Sequence, residues 1–292
     1  MIIDGKKIAD KLNQKTVDLV KKLKKRGISP KIAVVLVGDS KPSQVYVTQK
    51  EKLAKKLGFD FELIKLKNKI TTMELKDKII SLQKQKNLCG LIVQLPLPKK
   101  INTFEILNCL DYEIDIDCLS AHGLGRLYQD KRELEPPTAG AVMEILKNLK
   151  VKFVGKDVVI IGAGILVGKP LATILMQERA TVTVCNSATK DLKKKCLGAD
   201  IIVAGTGVRN LVKASMVKKG AIVIDAGFSF VNGKSYGDAD VTALDKKGVW
   251  VTPTPGGVGP VTVGKLMFNA AKCGEIKIKN YKNYKDCRNC KG

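Results

Sequence analysis

The chain has 292 residues, 45% of them hydrophobic and 27% charged, a composition typical of one large or two medium globular domains. It has neither a run of about 20 apolar residues nor the apolar segment of a signal peptide, which predicts a cytoplasmic protein without a membrane partner. The net charge of +24 would suit nucleic-acid binding, but only six basic residues are arginines, which base-reading proteins favour, so we expect no nucleic-acid partner.

Eight cysteines are spread along the chain and predict reduced thiols rather than a disulfide framework. Most lie within apolar runs, where a free cysteine packs as a small hydrophobic residue. Cys287 and Cys290 have a spacing typical of metal ligands, but one such pair on a polar tail is half of a zinc site at most. We therefore expect no metal site.

Helices and strands alternate in the first half of the chain. Residues 7–25 carry apolar side chains at helical spacing, residues 32–37 are typical of a buried strand, and a second helix is expected over residues 43–57. Residues 59–66 alternate like a strand, Thr71 and Glu74 match a capping box that opens a third helix, and residues 90–94 predict another buried strand. This order predicts a parallel, doubly wound α/β layer.

The second half predicts another α/β unit. Residues 111–137 are polar and irregular, and we place a hinge there, followed by a helix that Thr138 caps and that ends near residue 149. Buried strands are expected at residues 158–161, 181–184, 201–204 and 221–225. A proline- and glycine-rich loop precedes a helix at residues 261–271, and the lysine-rich tail beyond Gly274 is expected to be mobile.

These elements predict two α/β units. We expect two domains with a cleft between them, the C-terminal one a Rossmann-type dinucleotide-binding domain. Residues 1–138, joined by residues 261–292, are expected to form one domain and residues 139–260 the other. The dinucleotide site rests on a strand that runs into Gly162, Gly164 and Gly168, where backbone N–H groups can meet a pyrophosphate. This spacing departs from G-x-G-x-x-G, and a tight turn without a ligand would use the same glycines.

Tyr46 and Lys50 lie four residues apart and therefore share one helix face, just beyond the end of a predicted strand. A lysine that loses solvent beside an aromatic ring can donate or accept a proton, because burial lowers its pKa. The alternative is an exposed lysine whose stem lies over the tyrosine ring, and for an isolated Y-x-x-x-K this alternative is favoured.

An ordered set of motifs favours the first interpretation. Tyr46 and Lys50 are followed by V-Q-L-P-L-P at residues 93–98, D-I-D at 115–117, the glycine turn at 162–168, D-A-G at 225–227, G-D at 237–238 and P-T-P-G-G-V-G-P at 253–260. In this order, over about residues 2–271, the chain resembles the bifunctional methylenetetrahydrofolate dehydrogenase/methenyltetrahydrofolate cyclohydrolase family. The resemblance implies an NADP-linked oxidation and a hydrolysis of tetrahydrofolate derivatives, a folate-binding N-terminal domain and a homodimer.

The resemblance also implies roles for individual residues. Lys50 matches the family's catalytic lysine, Tyr46 the tyrosine that packs on the folate rings, Gln94 the glutamine that holds and tunes the lysine, and Asp117 the aspartate that hydrogen-bonds the pterin. Further expected substrate contacts are Val93, Leu95, Pro253, Pro255, Gly256, Gly257, Gly259 and Pro260. Expected cofactor contacts are Gly162, Ala163, Gly164, Ser187 and Phe228.

The chain departs from the family most clearly at the cofactor turn. The usual G-R-S is G-A-G at residues 162–164, which removes an arginine and a serine that would meet the 2′-phosphate of NADP. Asn186 replaces the usual histidine, and the end of the next strand, V-C-N-S at residues 184–187, has no Asp or Glu to bind the ribose hydroxyl of NAD. Lys190 or Arg179 could supply charge instead. We expect NADP, with NAD possible.

Three smaller departures leave Lys50, Gln94 and Asp117 untouched. Cys118 stands where the family has glycine, and P-P-T-A-G at residues 136–140 replaces P-C-T-P-x-G. His122 lies in a loop where the family has no catalytic group, and we interpret it as a surface or packing residue. Two alternatives remain: a divergent relative with cyclohydrolase activity but weak or NAD-linked dehydrogenase activity and, more remotely, a basic nucleic-acid-binding protein.

Overall fold

Parallel strands flanked by helices form both halves of the computed structural model, which describes residues 1–231 and 234–289. The chain divides into two units. The first unit contains Leu12–Arg126, Arg132–Glu135 and the described residues from Leu266 onward. The second unit contains Met1–Lys11, Leu127–Lys131 and Pro136–Lys265. The expected α/β class with parallel sheets is confirmed.

The sheet of the first unit has the parallel order β2-β1-β3. Its strands are β1 (Lys31–Val37), β2 (Asp60–Leu66) and β3 (Leu88–Val93). Its helices are α2 (Lys41–Leu57), α3 (Thr72–Gln83), α4 (Thr103–Asn108), α5 (Ala121–Tyr128), most of α1 (Gly5–Lys25) and, from residue 266, α10 (Val258–Asn289).

The central strand β1 is buried because both faces of this sheet are covered. Val35 packs in one apolar cluster with Leu75 and Ile79 of α3. Val34 packs in another with Ala54 of α2 and Met267 of α10. A strand covered on both sides needs apolar residues at consecutive positions, which explains the unbroken run in the sequence.

The sheet of the second unit is also parallel, in the order β10-β7-β6-β4-β5. Its strands are β4 (Asp157–Ile161), β5 (Thr181–Cys185), β6 (Ile201–Ala204), β7 (Ile222–Asp225) and β10 (Trp250–Val251). Its helices are α6 (Pro137–Asn148), α7 (Gly168–Gln177), α8 (Leu192–Leu197), α9 (Val241–Lys246) and a 3₁₀ turn at Ala214–Met216. Strands β8 (Ser229–Val231) and β9 (Lys234–Tyr236) pair antiparallel.

The capping box of α3 is confirmed, since the Thr71 hydroxyl accepts from the Glu74 N–H and the Glu74 carboxylate accepts from the Thr71 N–H. The prediction that Thr138 caps the next helix is wrong. Helix α6 begins at Pro137, and proline is favoured in a first helical turn because its nitrogen has no hydrogen to satisfy. The irregular stretch 111–137 also contains α5.

Two other expectations are corrected by tertiary contacts. Residues 181–184 form a strand, as expected, but it is not buried, because β5 is the edge strand and Val184 is 42% exposed. The last helix begins at Val258 and continues past residue 271 to Asn289. Cys273 packs in the apolar core there, and Lys277 Nζ donates to the Leu88 carbonyl.

None of the helices in the described part of the chain combines the length and apolar character needed to cross a membrane.

Candidate active site

Lys50 and Gln94 meet at the carboxyl end of the first unit's sheet. Lys50 lies on α2, which follows β1, and Gln94 directly follows β3, the neighbouring strand. The Lys50 amine donates to Gln94 Oε1 at 2.9 Å. Gln94 Nε2 donates to the Leu95 carbonyl at 2.8 Å, and its backbone N–H donates to the Val35 carbonyl. These bonds orient the amide so that its oxygen faces the lysine.

Tyr46 lies one helical turn before Lys50 on α2 and is partly buried. Burial raises the pKa of its phenol, which keeps the ring neutral. Val93, the last residue of β3, is buried, and Leu95 is partly buried. The sequence-based expectations for these residues therefore converge on one end of one sheet.

Asp117 is brought to the same end by a segment that adds to the edge of β3. The Leu91 N–H donates to the Ile114 carbonyl at 2.8 Å, and Leu91 and Asp115 form a parallel bridge. Burial lowers the pKa of Lys50, and the negative charge of Asp117 partly opposes that shift. Burial raises the pKa of Asp117, and Lys50 partly opposes it. The lowered pKa makes it easier for Lys50 to release a proton, which suits proton transfer.

Asn269 is a site residue that sequence reasoning missed. It lies on α10, is 1% exposed, and its amide nitrogen donates to the carbonyls of Ile116 at 2.9 Å and Glu135 at 2.8 Å. Ile116 directly precedes Asp117. A lone amide in the apolar helical run L-M-F-N-A-A, residues 266–271, is the signal that could have found it, because buried polar groups are there to be hydrogen-bonded.

Asp115, in the same segment, is 1% exposed. Its Oδ2 accepts from the Ser120 N–H at 2.8 Å, whereas Oδ1 has no hydrogen-bond partner among the described residues. Burial, with a smaller contribution from the Asp117 charge, raises the pKa of Asp115 to about 6, against the opposing hydrogen bonds from Ser120. Cys118, which follows Asp117, has a φ of 54°, where glycine is unstrained and other residues are not.

The expected cofactor contacts lie at the carboxyl edge of the second unit's sheet. Residues 162–164 follow β4, Ser187 follows β5 and Phe228 follows β7. Gly162 has a φ of 111°, and a Cβ on Gly168 would overlap the Gly162 carbonyl, so the turn needs both glycines. Such a turn at the start of α7 leaves N–H groups free to meet a pyrophosphate.

The charge expected from Arg179 does not reach this turn. Arg179 precedes β5 and therefore lies at the amino end of the strands, the opposite edge of the parallel sheet. That suggestion is wrong. Lys190 follows β5 and is exposed, so it lies at the correct edge. Asn186 is used locally, because its side-chain oxygen accepts from the Ala188 N–H at 2.9 Å.

Two buried carboxylates join the loops at the same edge. Asp225, at the end of β7, accepts backbone N–H groups of Gly227, Asp238 and Ala239 at 2.9–3.0 Å. Asp238 Oδ2 accepts the N–H and hydroxyl of Thr206. A Cβ on Gly227 would fall inside the Asp238 carboxylate, and one on Gly237 inside the Asp225 carboxylate.

Burial raises the pKa of Asp225 to about 6, helped by the Asp238 charge and opposed by the three N–H bonds.

The remaining expected substrate contacts belong to the second unit. Pro253, Pro255, Gly256 and Gly257 follow β10, and Gly259 and Pro260 lie in the first turn of α10. The Gly256 carbonyl accepts from the Gly5 N–H at 3.1 Å. Among the residues that the structure describes, no three His, Cys, Asp or Glu side chains cluster as metal ligands. Cys290 and the side chain of Cys287 lie outside the described residues.

Comparison with known proteins identifies two family domains. The model for the catalytic domain of tetrahydrofolate dehydrogenase/cyclohydrolase matches residues 3–117, and the model for its NAD(P)-binding domain matches residues 136–278. The bifunctional protein FolD of Clostridium perfringens is 42% identical over 271 residues, which cover 93% of this chain and 98% of that protein.

Solved structures agree with the sequence matches. The bifunctional dehydrogenase/cyclohydrolase FolD of Campylobacter jejuni superposes with a TM-score of 0.92 at 37% identity, covering 95% of this chain and 99% of that one. The Trypanosoma brucei enzyme, solved with NADP and an inhibitor, superposes with a TM-score of 0.88 at 35% identity, covering 95% and 98%. The chain therefore belongs to the tetrahydrofolate dehydrogenase/cyclohydrolase family.

Proposed function

We propose that the chain oxidises 5,10-methylenetetrahydrofolate with NADP to 5,10-methenyltetrahydrofolate and hydrolyses that product to 10-formyltetrahydrofolate. The observation that carries this proposal is the hydrogen bond from the buried Lys50 amine to Gln94, together with the electrostatic effect of the Asp117 charge on Lys50. Membership of the family and the NADP complex of the T. brucei relative support the same pair of reactions. The substrates are then tetrahydrofolate derivatives, and the chain acts in one-carbon metabolism.

Lys50 suits the proton transfers of the hydrolysis. Burial lowers the pKa of its ammonium, which makes proton release easier than from an exposed lysine, while Gln94 holds its position. As water adds to the methenyl carbon, Lys50 accepts the proton that the water loses. It then returns a proton to the folate nitrogen that leaves as the ring opens.

Asp117 and Tyr46 orient the folate in this proposal. An ionised carboxylate accepts hydrogen bonds from the adjacent N–H donors on a pterin edge, and such charge-assisted bonds are among the strongest in proteins. The neutral ring of Tyr46, one turn from Lys50, offers an apolar face on which the folate can pack. Residues 253–260 would supply further contacts to the folate.

The second unit fits a dinucleotide. The close approach of Gly168 to the Gly162 carbonyl forms a cradle that a side chain would fill, at the N-terminus of a ten-residue helix. Ser187 and Phe228 lie at the same edge of the sheet. A bound nicotinamide would supply the acceptor for the hydride that the folate methylene group loses. The chain contributes binding and orientation.

We assign residues 1–138 with 261–292 to folate binding and residues 139–260 to dinucleotide binding. As the family resemblance implies, we further infer a homodimer that works in the cytoplasm. Separate expression of residues 139–260 followed by dinucleotide titration tests the domain assignment, and sedimentation of the full chain tests the dimer.

A second candidate function is folate hydrolysis with weak or NAD-linked dehydrogenase activity. The observation in its favour is the turn at Ala163 and Gly164, which presents no cation or hydroxyl to the 2′-phosphate that distinguishes NADP from NAD.

One experiment separates the two candidates. Purified protein is incubated with 5,10-methylenetetrahydrofolate and either NADP or NAD, and reduced nicotinamide and methenyl absorbance are followed separately. Methenyltetrahydrofolate is then supplied directly, without a dinucleotide. Loss of methenyl absorbance together with NADP reduction supports the first proposal. Hydrolysis without NADP reduction supports the second proposal. If the protein catalyses neither reaction, both proposals are refuted.

A further inference from the structure

Asn269 joins the last helix to the segment that carries Asp117. Its amide nitrogen donates both of its hydrogens, one to the Ile116 carbonyl and one to the Glu135 carbonyl, at 2.9 and 2.8 Å. The side chain is 1% exposed, so water does not replace these bonds when they are lost. Cys118 Sγ lies 4.0 Å from the same nitrogen.

The Ile116 carbonyl is the part of the segment that most directly controls Asp117. It belongs to the planar peptide group that ends at the Asp117 Cα, so holding this oxygen fixes the plane from which the Asp117 side chain leaves. On the other side, Cys118 has a φ of 54°. A residue in that conformation reverts to a commoner one when neighbouring restraints are removed.

The charges that face Lys50 show what displacement of Asp117 would do. Among the residues that the structure describes, Asp117 supplies the charge that opposes the effect of burial on the Lys50 pKa, and the same charge contributes to the raised pKa of Asp115, two residues earlier. Asn269 is itself uncharged. On α10, the Lys272 ammonium forms a salt bridge with Glu275, with Nζ and Oε2 2.8 Å apart. A change at Asn269 therefore reaches Lys50 through the position of Asp117 and not through a charge of its own.

We infer that Asn269 is a positioning residue that holds Asp117 in its folate-binding orientation and acts on Lys50 only through Asp117. The inference rests on the proposed function, because it gives Asp117 and Lys50 the roles proposed above. It predicts that loss of the Asn269 amide weakens folate binding only through Asp117.

The test is a double-variant cycle on the full chain. Asn269→Leu keeps the approximate shape of the side chain and removes both N–H donors. Asn269→Ser also removes the amide but leaves a shorter side chain with one hydroxyl donor. Tetrahydrofolate affinity is measured by calorimetry for wild type, each Asn269 variant, Asp117→Ala and the combined variants. We expect at least a tenfold loss for Asn269→Leu, a smaller loss for Asn269→Ser, and little further loss when either is combined with Asp117→Ala.

A pH profile gives the readout that a purely structural role would not move. The Asp117 charge keeps the Lys50 pKa from falling further, so its displacement should move the lysine limb of the hydrolysis profile to lower pH. Leu82→Ala, a core change on α3 in the other apolar cluster, is the matched control for lost stability and should leave the limb in place.

The possible outcomes are distinct. Unchanged affinity and pH profile in both Asn269 variants, or losses that add to that of Asp117→Ala, would overturn the inference and leave the proposed function standing. Wild-type protein that neither binds tetrahydrofolate nor hydrolyses the methenyl compound would refute the proposed function itself.

Discussion

Lys50 donates a hydrogen bond of 2.9 Å to the side-chain oxygen of Gln94, a residue 44 positions later in the chain. Both the amine and the ammonium can donate this bond, so Gln94 restrains the lysine in either protonation state. A base that must take up and release a proton benefits from a partner of this kind, because its position does not change with its charge.

The first prediction concerns Lys50. Lys50→Met should abolish the hydrolysis of methenyltetrahydrofolate and leave the fold intact, because methionine fills similar space without a proton-transfer group. Loss of methenyl absorbance measures the activity, and circular dichroism the fold. Lys55→Met is the control, since Lys55 lies on the same helix but is exposed and pairs with Glu51 at the surface. Hydrolysis at the wild-type rate by Lys50→Met would remove this residue from the mechanism.

The second prediction concerns Asp117. Asp117→Ala should weaken folate binding by about 2–4 kcal/mol, the usual scale for loss of one partner of a buried charged hydrogen bond. Dinucleotide affinity should barely change, because Asp117 belongs to the first unit and the cofactor turn to the second. Separate titrations with tetrahydrofolate and NADP measure the two affinities. Equal folate affinity in variant and wild type would show that this aspartate does not hold the pterin.

The third prediction concerns stability and pH. In the folded chain the pKa of Asp115 is about 6, whereas an unfolded aspartate titrates near 3.9. Between these values the folded state keeps a proton that the unfolded state loses, so stability falls as pH rises from about 4 to 6. Above pH 6 the full penalty, about 2–3 kcal/mol, is present.

Asp115→Asn removes this penalty, because its oxygen still accepts from the Ser120 N–H and its nitrogen takes the place of the unpartnered oxygen. We expect the variant to exceed wild type in stability at pH 8 and to match it at pH 4. Urea unfolding at a series of pH values measures the difference. Asp77→Asn, at an exposed position on α3, is the control. A gain that is equal at all pH values would contradict the explanation.

The fourth prediction concerns the cofactor turn. Ala163 and Gly164 lack side chains for a 2′-phosphate, and a charge-assisted bond there is worth roughly 1.5–3 kcal/mol. Because 1.4 kcal/mol is about a tenfold change in affinity, we expect a preference for NADP over NAD of about tenfold or less. The double change Ala163→Arg with Gly164→Ser should raise NADP affinity and leave NAD affinity nearly unchanged.

The alternative is that Lys190 binds the 2′-phosphate in place of the arginine that the turn lacks, since Lys190 lies at the carboxyl edge of the sheet. If it already binds the phosphate, the added arginine gains little, and Lys190→Ala should then lower NADP affinity alone. A wild type that prefers NADP a hundredfold, with no gain from the double change, would show that the turn is not deficient.

Local signals in the sequence were enough for most elements of the first unit. The unbroken apolar runs of β1 and β3 and the Thr71–Glu74 box depend on neighbours in the chain, and all three are present. The end of α10 could not be found in this way. Its continuation is supported by contacts with distant residues, such as the bond from Lys277 to the Leu88 carbonyl.

The same distinction holds within the site. Helical spacing places Tyr46 and Lys50 on one face, but the meeting of Lys50 with Gln94 depends on β1 lying beside β3, which no local pattern determines. Asn269 acts on a carbonyl 153 positions earlier. The roles of Tyr46, Lys50, Gln94 and Asp117 stay predictions that the variants above test.

The reciprocal contacts of Asp225 with Gly237 and of Asp238 with Gly227 restrict how this part of the chain can evolve. Any side chain at either glycine would occupy the space of a carboxylate that secures the neighbouring loops. Single substitutions at these glycines should therefore not be tolerated during evolution, because a close-packed interior has no room for an added side chain. A library that randomises Gly227 or Gly237 alone should return glycine, and alternatives should emerge only when the facing aspartate is shortened in the same clone.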